Sequence, residues 1–205
     1  ASAIAVGWGQ YLNELLSIST GWRLPDIIAR PPGAGGIVNL PAVLLVGLCL
    51  ILLLRGTRES TTANAILVIA KLAVLALFVA VALAHFQPAN FHPFAPKGMV
   101  GIGAAASSIF FSYIGIDAVS TAGEEVRNPR RDLPLAIILS LLIVTAAYIL
   151  VAVAAIGAQP WTEFAGQEAG LAVILHNLTG AGWPAVILSL GAIASIFSVT
   201  LVVIY

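Results

Sequence analysis

The sequence predicts an all-α integral membrane protein, and three observations carry that prediction. Hydrophobic residues make up 60% of the chain and charged residues 9%, with a mean hydropathy of +1.04; soluble domains carry about 25% charge. Five stretches, 38–54, 62–86, 98–122, 134–158 and 184–205, approach or exceed the about 20 apolar residues that cross a bilayer. Proline, glycine and charge gather in the connections between them, such as RGTRES and HFQPANFHPFAPKG, which leave no room for a soluble domain.

The first residues, 1–16, read as the end of a sixth span. The chain opens without methionine or a signal-peptide pattern and stops inside the apolar run LVVIY. Both ends therefore look cut, and 1–205 is expected to be one transmembrane-domain fragment. Leu171–Thr179 is helical in pattern but too short to cross. Asn128-Pro129 should end the 98–122 segment and its exit, because the residue before proline avoids the helical region. Asp132-Leu133-Pro134 then reads as an N-cap with proline in the first turn of the next helix, and Thr61 and Thr62 can cap the helix before Lys71. The small-residue run Gly101–Ser108 permits close helix contact in lipid.

Charge sets orientation and excludes one class of partner. The formal net charge is +0 and no basic tract exists, so nothing points to nucleic acid. If 1–16 run outward, the inside loops hold Arg55, Arg58, Arg127, Arg130 and Arg131, and the outside loops Arg23, Arg30 and Lys97. That excess places the VRNPRR cluster in the cytoplasm. Cys49 is alone in an apolar run, which excludes a disulfide scaffold and predicts an inert buried thiol. His85, His92 and His176 lie near span ends and do not cluster as metal ligands would. Asn177-Leu178-Thr179 matches the glycosylation triplet, a pattern that also arises by chance. No phosphate loop, zinc spacing or nucleophile elbow is present.

Lys71 is the sharpest chemical signal. It lies in TTANAILVIAKLAVLALFVAVALAHF, about 15 Å of helix from the nearer end. A charge at such depth costs several kcal/mol and marks an ion or proton pathway by default; burial lowers a lysine pKa and lets it exchange a proton near neutrality. The plainer alternatives are a helix displaced along the membrane normal, or a lysine donating to a neighbour's carbonyls.

A second signal is the line FFSYIGIDAVSTAGEEVRNPRRDLP, Phe110–Pro134. Gly115 tolerates irregular backbone, and Asp117 can cap a second half-helix. A break at Ser112–Asp117 would present free carbonyls and amides to a zwitterion; the competing reading is an unbroken helix with Asp117 near its cytoplasmic end. Phe110, Phe111 and Tyr113 either lid such a site or simply pack. Glu124, Glu125, Arg127, Arg130, Arg131 and Asp132 form either a solvated loop or an inner gate closed by ion pairs. Ser195, Ser198 and Thr200 offer hydroxyls at membrane depth, though membrane serines mostly bond back to their own helix.

Phe110–Pro134 resembles the sixth helix and following loop of the cationic amino acid transporter group, within the amino acid–polyamine–organocation superfamily. NAILVIAKLAVLALF resembles that group's fifth helix, SAIAVGWGQYLNELL the end of its third and GAIASIFSVTLVVIY its eighth. The resemblance implies a leucine-transporter-like 5+5 inverted-repeat bundle, with this chain supplying helices three to eight and a discontinuous sixth. It implies that Lys71 couples transport to protons, and that carbonyls of Phe111, Ser112 and Ile114, beside Gly115, receive the substrate ammonium. Phe111 would close over the substrate; Tyr113, Asp117, Ser195 and Ser198 would gate or support the site. The glycine-rich break of helix one, which binds the carboxylate in the family, is absent from these residues, as are helices nine and ten.

The expected activity is secondary active transport of L-amino acids by proton symport and alternating access, in a multi-pass protein of the cell membrane. No enzyme chemistry is expected, and no cofactor or metal, the coupling ion being a proton. Partners are an L-amino acid and the lipid bilayer, with a small membrane subunit or an oligomer left open. Apart from Asp117, no acid in the spans pairs with a cationic side chain, which tilts the preference toward broad or neutral substrates. Proton-independent exchange of amino acids or polyamines is the rival within the fold; a channel or a non-transporting scaffold is the rival outside it.

Overall fold

The computed structural model describes residues 2–55, 61–110, 113, 128–164 and 167–204, with backbone alone for 61–64. In chain order the helices are α1 (Ser2–Thr20), α2 (Asp26–Ala29), α3 (Leu40–Leu54), α4 (Thr61–Ala84), α5 (Gly98–Phe110), α6 (Pro129–Ala158), α7 (Gly170–Thr179) and α8 (Gly182–Ile204). Short 3-10 turns occupy Pro88–Phe91 and Trp161–Phe164. A lone bridge between Pro32 and Gly36 is the one strand-like pairing among the described residues. Residues Ala65–Ala84 of α4, all of α6 and all of α8 are long and apolar enough to cross a membrane.

The start of α6 corrects the expectation from sequence. Asn128, not Asp132, is the N-cap, and Pro129 takes the first helical position. The N–H groups of Arg131 and Asp132 donate to Asn128 O at 3.1 and 2.9 Å. Both Asn-Pro and Asp-Leu-Pro satisfy the rules for a helix start, and the chain uses the earlier one. Asp132 then lies in the first turn, where its charge favours the helix dipole. Pro134 falls inside the helix at the cost of one backbone hydrogen bond.

Packing fixes the direction of each helix. Phe78 and Ala82 of α4 form one core with Ala185 and Leu188 of α8, Ala154 and Ala155 of α6, and Ile174 and Leu175 of α7. One turn earlier on α4, Val74 reaches Gly191 of α8, where a Cβ would stand 2.8 Å from Val74 Cγ2. Numbers rise on α4 as they fall on α8, so the pair is antiparallel. A second core joins Ala5, Leu45 and Cys49 with Ile196, Phe197 and Leu201, while Ile18 meets Gly182, so α1 is antiparallel to α8 as well. By contrast α4 and α6 run parallel. Gln87 N donates to Gly157 O at 2.8 Å, and the Phe86 ring lies against Gly157, where no side chain stands between them.

The crossings therefore alternate. The connections around 21–39, 85–97 and 159–181 share the end where α7 lies; Arg55, Arg130 and Arg131 share the other. At the α7 end, buried Asn13 and Asn39 tie the loops down. Leu24 N donates to Asn13 Oδ1 at 2.8 Å, Asn39 Nδ2 donates to Ala29 O at 2.8 Å, and Ala42 N donates to Asn39 Oδ1 at 3.0 Å, capping α3. Arg23 pairs with Glu14 at 3.1 Å. Arg30 Nε stands 3.0 Å from Glu168 Oε1, a charge contact with no acceptor in line with its N–H among the described residues.

The lateral surface is apolar. Leu48 and Ile51 of α3 and Leu142, Ile143 and Ile149 of α6 are all exposed, as befits helices facing lipid or neighbouring protein. The small-residue run of α5, expected to pack closely, has no buried residue among those described.

Candidate functional site

Lys71 stands near the middle of α4, about 15 Å from one helix end and about 20 Å from the other. It is half-buried and shares a face with Val74 and Phe78, spaced at three and seven residues. Phe78 is wholly buried and Val74 abuts Gly191, so this face is the one turned toward α8. Because the two helices are antiparallel, one turn below Val74 on α4 matches one turn beyond Gly191 on α8. Lys71 and Ser195 thus lie at one height on the α4–α8 seam.

Two of the four hydroxyls of α8 bond back to their own helix. Ser195 Oγ donates to Gly191 O at 2.6 Å and Thr200 Oγ1 to Ile196 O at 2.7 Å, the back-bonding habit of membrane hydroxyls. Ser198 is buried at 4% exposure. Each keeps lone pairs for a ligand, but its proton is engaged within the helix in the two bonded cases.

A second polar set stands at nearly the same height on α6. Tyr113 follows α5 closely, and its Oη lies 3.0 Å from Thr145 Oγ1. Its ring meets Tyr148 edge-on, at 5.6 Å between centroids and 84° between planes, the geometry aromatic quadrupoles favour. Thr145 is about 20 Å from the α7 end of α6, as Lys71 is from that end of α4. Sequence reasoning missed Thr145 and Tyr148. The available signal was a hydroxyl pair spaced by three inside SLLIVTAAYILV, which otherwise faces lipid. Phe111, Ser112, Ile114, Gly115 and Asp117 lie outside the described residues, as do Glu124, Glu125 and Arg127. No group of three metal-ligating side chains occurs among the described residues.

What the fold and these positions define is a multi-pass helical membrane protein with an ammonium, hydroxyls and an aromatic pair at mid-membrane height. The amino acid permease profile matches residues 1–205, and the chain belongs to that family. It is 40% identical to the branched-chain amino acid permease BcaP of Bacillus subtilis (strain 168), covering 100% of this chain and 44% of that protein. It is 37% identical to the methylthioribose transporter of the same organism, over 100% of this chain and 44% of the relative. Cationic amino acid transporter 9, chloroplastic, of Arabidopsis thaliana shares 33% over 83% of this chain and 30% of its own length. The chain thus spans less than half the length of these relatives, which are named as permeases and transporters rather than enzymes.

Proposed function

We propose that the protein carrying this chain moves L-amino acids across the cell membrane by proton symport and alternating access. Its scaffold would be the leucine-transporter-like 5+5 bundle. In this reading Lys71 is the proton-responsive group: protonated, it holds a cation's place on the α4–α8 seam; deprotonated, it frees that place for the next step. The carbonyls of Phe111, Ser112 and Ile114, beside Gly115, would receive the substrate ammonium, with Phe111 closing over it. Tyr113 and Asp117 would set the position of that segment, and Ser195 and Ser198 would support the seam.

The observation that carries this reading is the height of Lys71. A lysine at least about 15 Å from each helix end is expensive to keep in lipid unless its charge is used. The sequence match to a branched-chain amino acid permease supports an aliphatic L-amino acid as substrate. The match to a methylthioribose transporter at 37% identity favours one second reading, a thioether sugar as cargo.

The test is uptake into proteoliposomes, with L-leucine and methylthioribose each labelled, with and without an inward proton gradient. One proton per substrate predicts up to about tenfold accumulation per pH unit, since one unit is worth 1.36 kcal/mol. Saturable L-leucine uptake that rises with the gradient supports the proposal. Uptake indifferent to the gradient favours exchange, and uptake of the sugar alone moves the cargo.

A further inference from the structure

The end of α6, the Trp161–Phe164 turn, α7 and the Pro88–Phe91 turn border a half-open cavity of about 260 Å³. It lies at the α7 end, at least a dozen residues along the helices from Lys71 and Thr145. Ile174 and Leu178 of α7 supply its apolar wall, and Gln87, Asn90, Gln159, Glu163 and Asn177 its polar one.

Part of the polar wall offers acceptors without donors. Asn90 Nδ2 donates to Gly157 O at 3.0 Å, and Gln159 Nε2 donates to Gln167 Oε1 at 3.1 Å. The amide oxygens of both residues accept no hydrogen bond among the described residues, and Glu163 makes no ion pair there. Gln159 is 6% exposed as a residue, and its amide oxygen keeps some solvent contact. An acceptor that lacks a protein donor is met by water or, more strongly, by a cation's N–H groups.

We propose that this cavity binds a primary ammonium on a short aliphatic stem. The ammonium carries three donors and no acceptor. It would match the Glu163 carboxylate and the two amide oxygens, while Ile174 and Leu178 take the stem. The Gln87 and Asn177 side chains make no hydrogen bond among the described residues and can donate to a carboxylate, so an aliphatic α-amino acid is the fuller match. The site goes beyond the transport reading, because occupancy there needs no translocation. A phosphatidylethanolamine headgroup carries the same ammonium and is the alternative source.

The experiment uses the full-length protein in phosphatidylcholine nanodiscs, with Pro160→Cys as the reactive thiol. Pro160 is exposed and lines the cavity without a part in the proposed contacts. Isopentylamine should slow labelling of that thiol about tenfold at saturation, and isopentanol should not. Glu163→Gln should raise the protecting concentration about tenfold, the order of one charge-assisted hydrogen bond. Equal protection by isopentanol, or an unmoved midpoint in Glu163→Gln, would overturn the proposal. Slow labelling in phosphatidylethanolamine nanodiscs without solute would support the ammonium site with lipid as its source. Lys71→Met should keep the protection even where uptake is lost. Lost protection with uptake intact would sink this site and leave the transport reading standing.

Discussion

Lys71 and Tyr113 stand at nearly one height but in opposite surroundings. The Lys71 face of α4 is closed: Val74 meets Gly191 at van der Waals limits and Phe78 is wholly buried. The Tyr113 side is open: Tyr148 is 42% exposed, and α5 has no buried residue among those described. Volume holds the first region, whereas among the described residues a hydroxyl pair and an aromatic edge tether the second. A close-packed seam admits few arrangements and resists any change in size. A polar tether can let go and re-form at little cost. In the transport reading, the proton-responsive group sits on the rigid side and the substrate-adjacent aromatic on the side free to move.

The largest effect should come from the charge on the closed side. Lys71→Met keeps the length and apolar stem but removes the proton site. Gradient-driven accumulation of L-leucine in proteoliposomes should then fall from as much as about tenfold per pH unit to none. Retained gradient dependence in a well-folded variant would remove Lys71 from the mechanism and leave the contrast between the two sides purely one of packing.

Next in size is a pure volume change on the same seam. Gly191→Val should destabilise the protein by about 1–3 kcal/mol, the usual cost of overpacking, seen as a lower unfolding midpoint in detergent. The relevant neighbour is a short, branched Val74 on a packed helix, so the strain cannot be shed by swinging a long side chain. Gly157→Ala is the useful contrast. Phe86 over it is 38% exposed and can rotate away, so that variant should lose less. If the order were reversed, the closed side would not be the α4–α8 seam.

On the open side polarity should matter more than size. Thr145→Val keeps the shape and deletes the hydroxyl partner of Tyr113. A hydrogen bond of this kind in a membrane protein is worth about 0.6 kcal/mol on average, so KM for L-leucine should rise about threefold with kcat little changed. Thr145→Ser should restore it. An equal fall in thermal stability with no change in KM would make Thr145 merely structural.

These contrasts also show what the sequence could carry. The alternation of spans, the depth of Lys71 and the shortness of 170–179 follow from composition and a fixed rise per residue, both local properties. At the start of α6 the sequence pointed to Asp132 as the cap and to Asn128-Pro129 only as the end of the preceding segment, although Asn128 is an equally valid cap four residues earlier. Local rules do not rank two valid starts; the continuing helix does. Thr145 and Tyr148 were invisible because their meaning lies in Tyr113, thirty-two residues away from Thr145, and a hydroxyl in a lipid-facing run looks like any other. Apart from Tyr113, the expected break at Ser112–Asp117 lies outside the described residues and rests on the residues themselves.

The smallest effect tests how completely α8 is satisfied. Ser195 and Thr200 return their protons to their own helix, while Ser189, wholly buried, has no partner for Oγ among the described residues. A buried hydroxyl without a partner bears its desolvation cost with nothing returned. Ser189→Ala removes that cost and leaves only a small void, so stability should change by no more than about 0.5 kcal/mol, or rise slightly. A loss above about 1 kcal/mol would mean that Ser189 has a partner elsewhere in the full-length protein. The closed side would then be held by a polar contact as well as by volume, and the difference from the Tyr113 side would narrow to the number of such contacts.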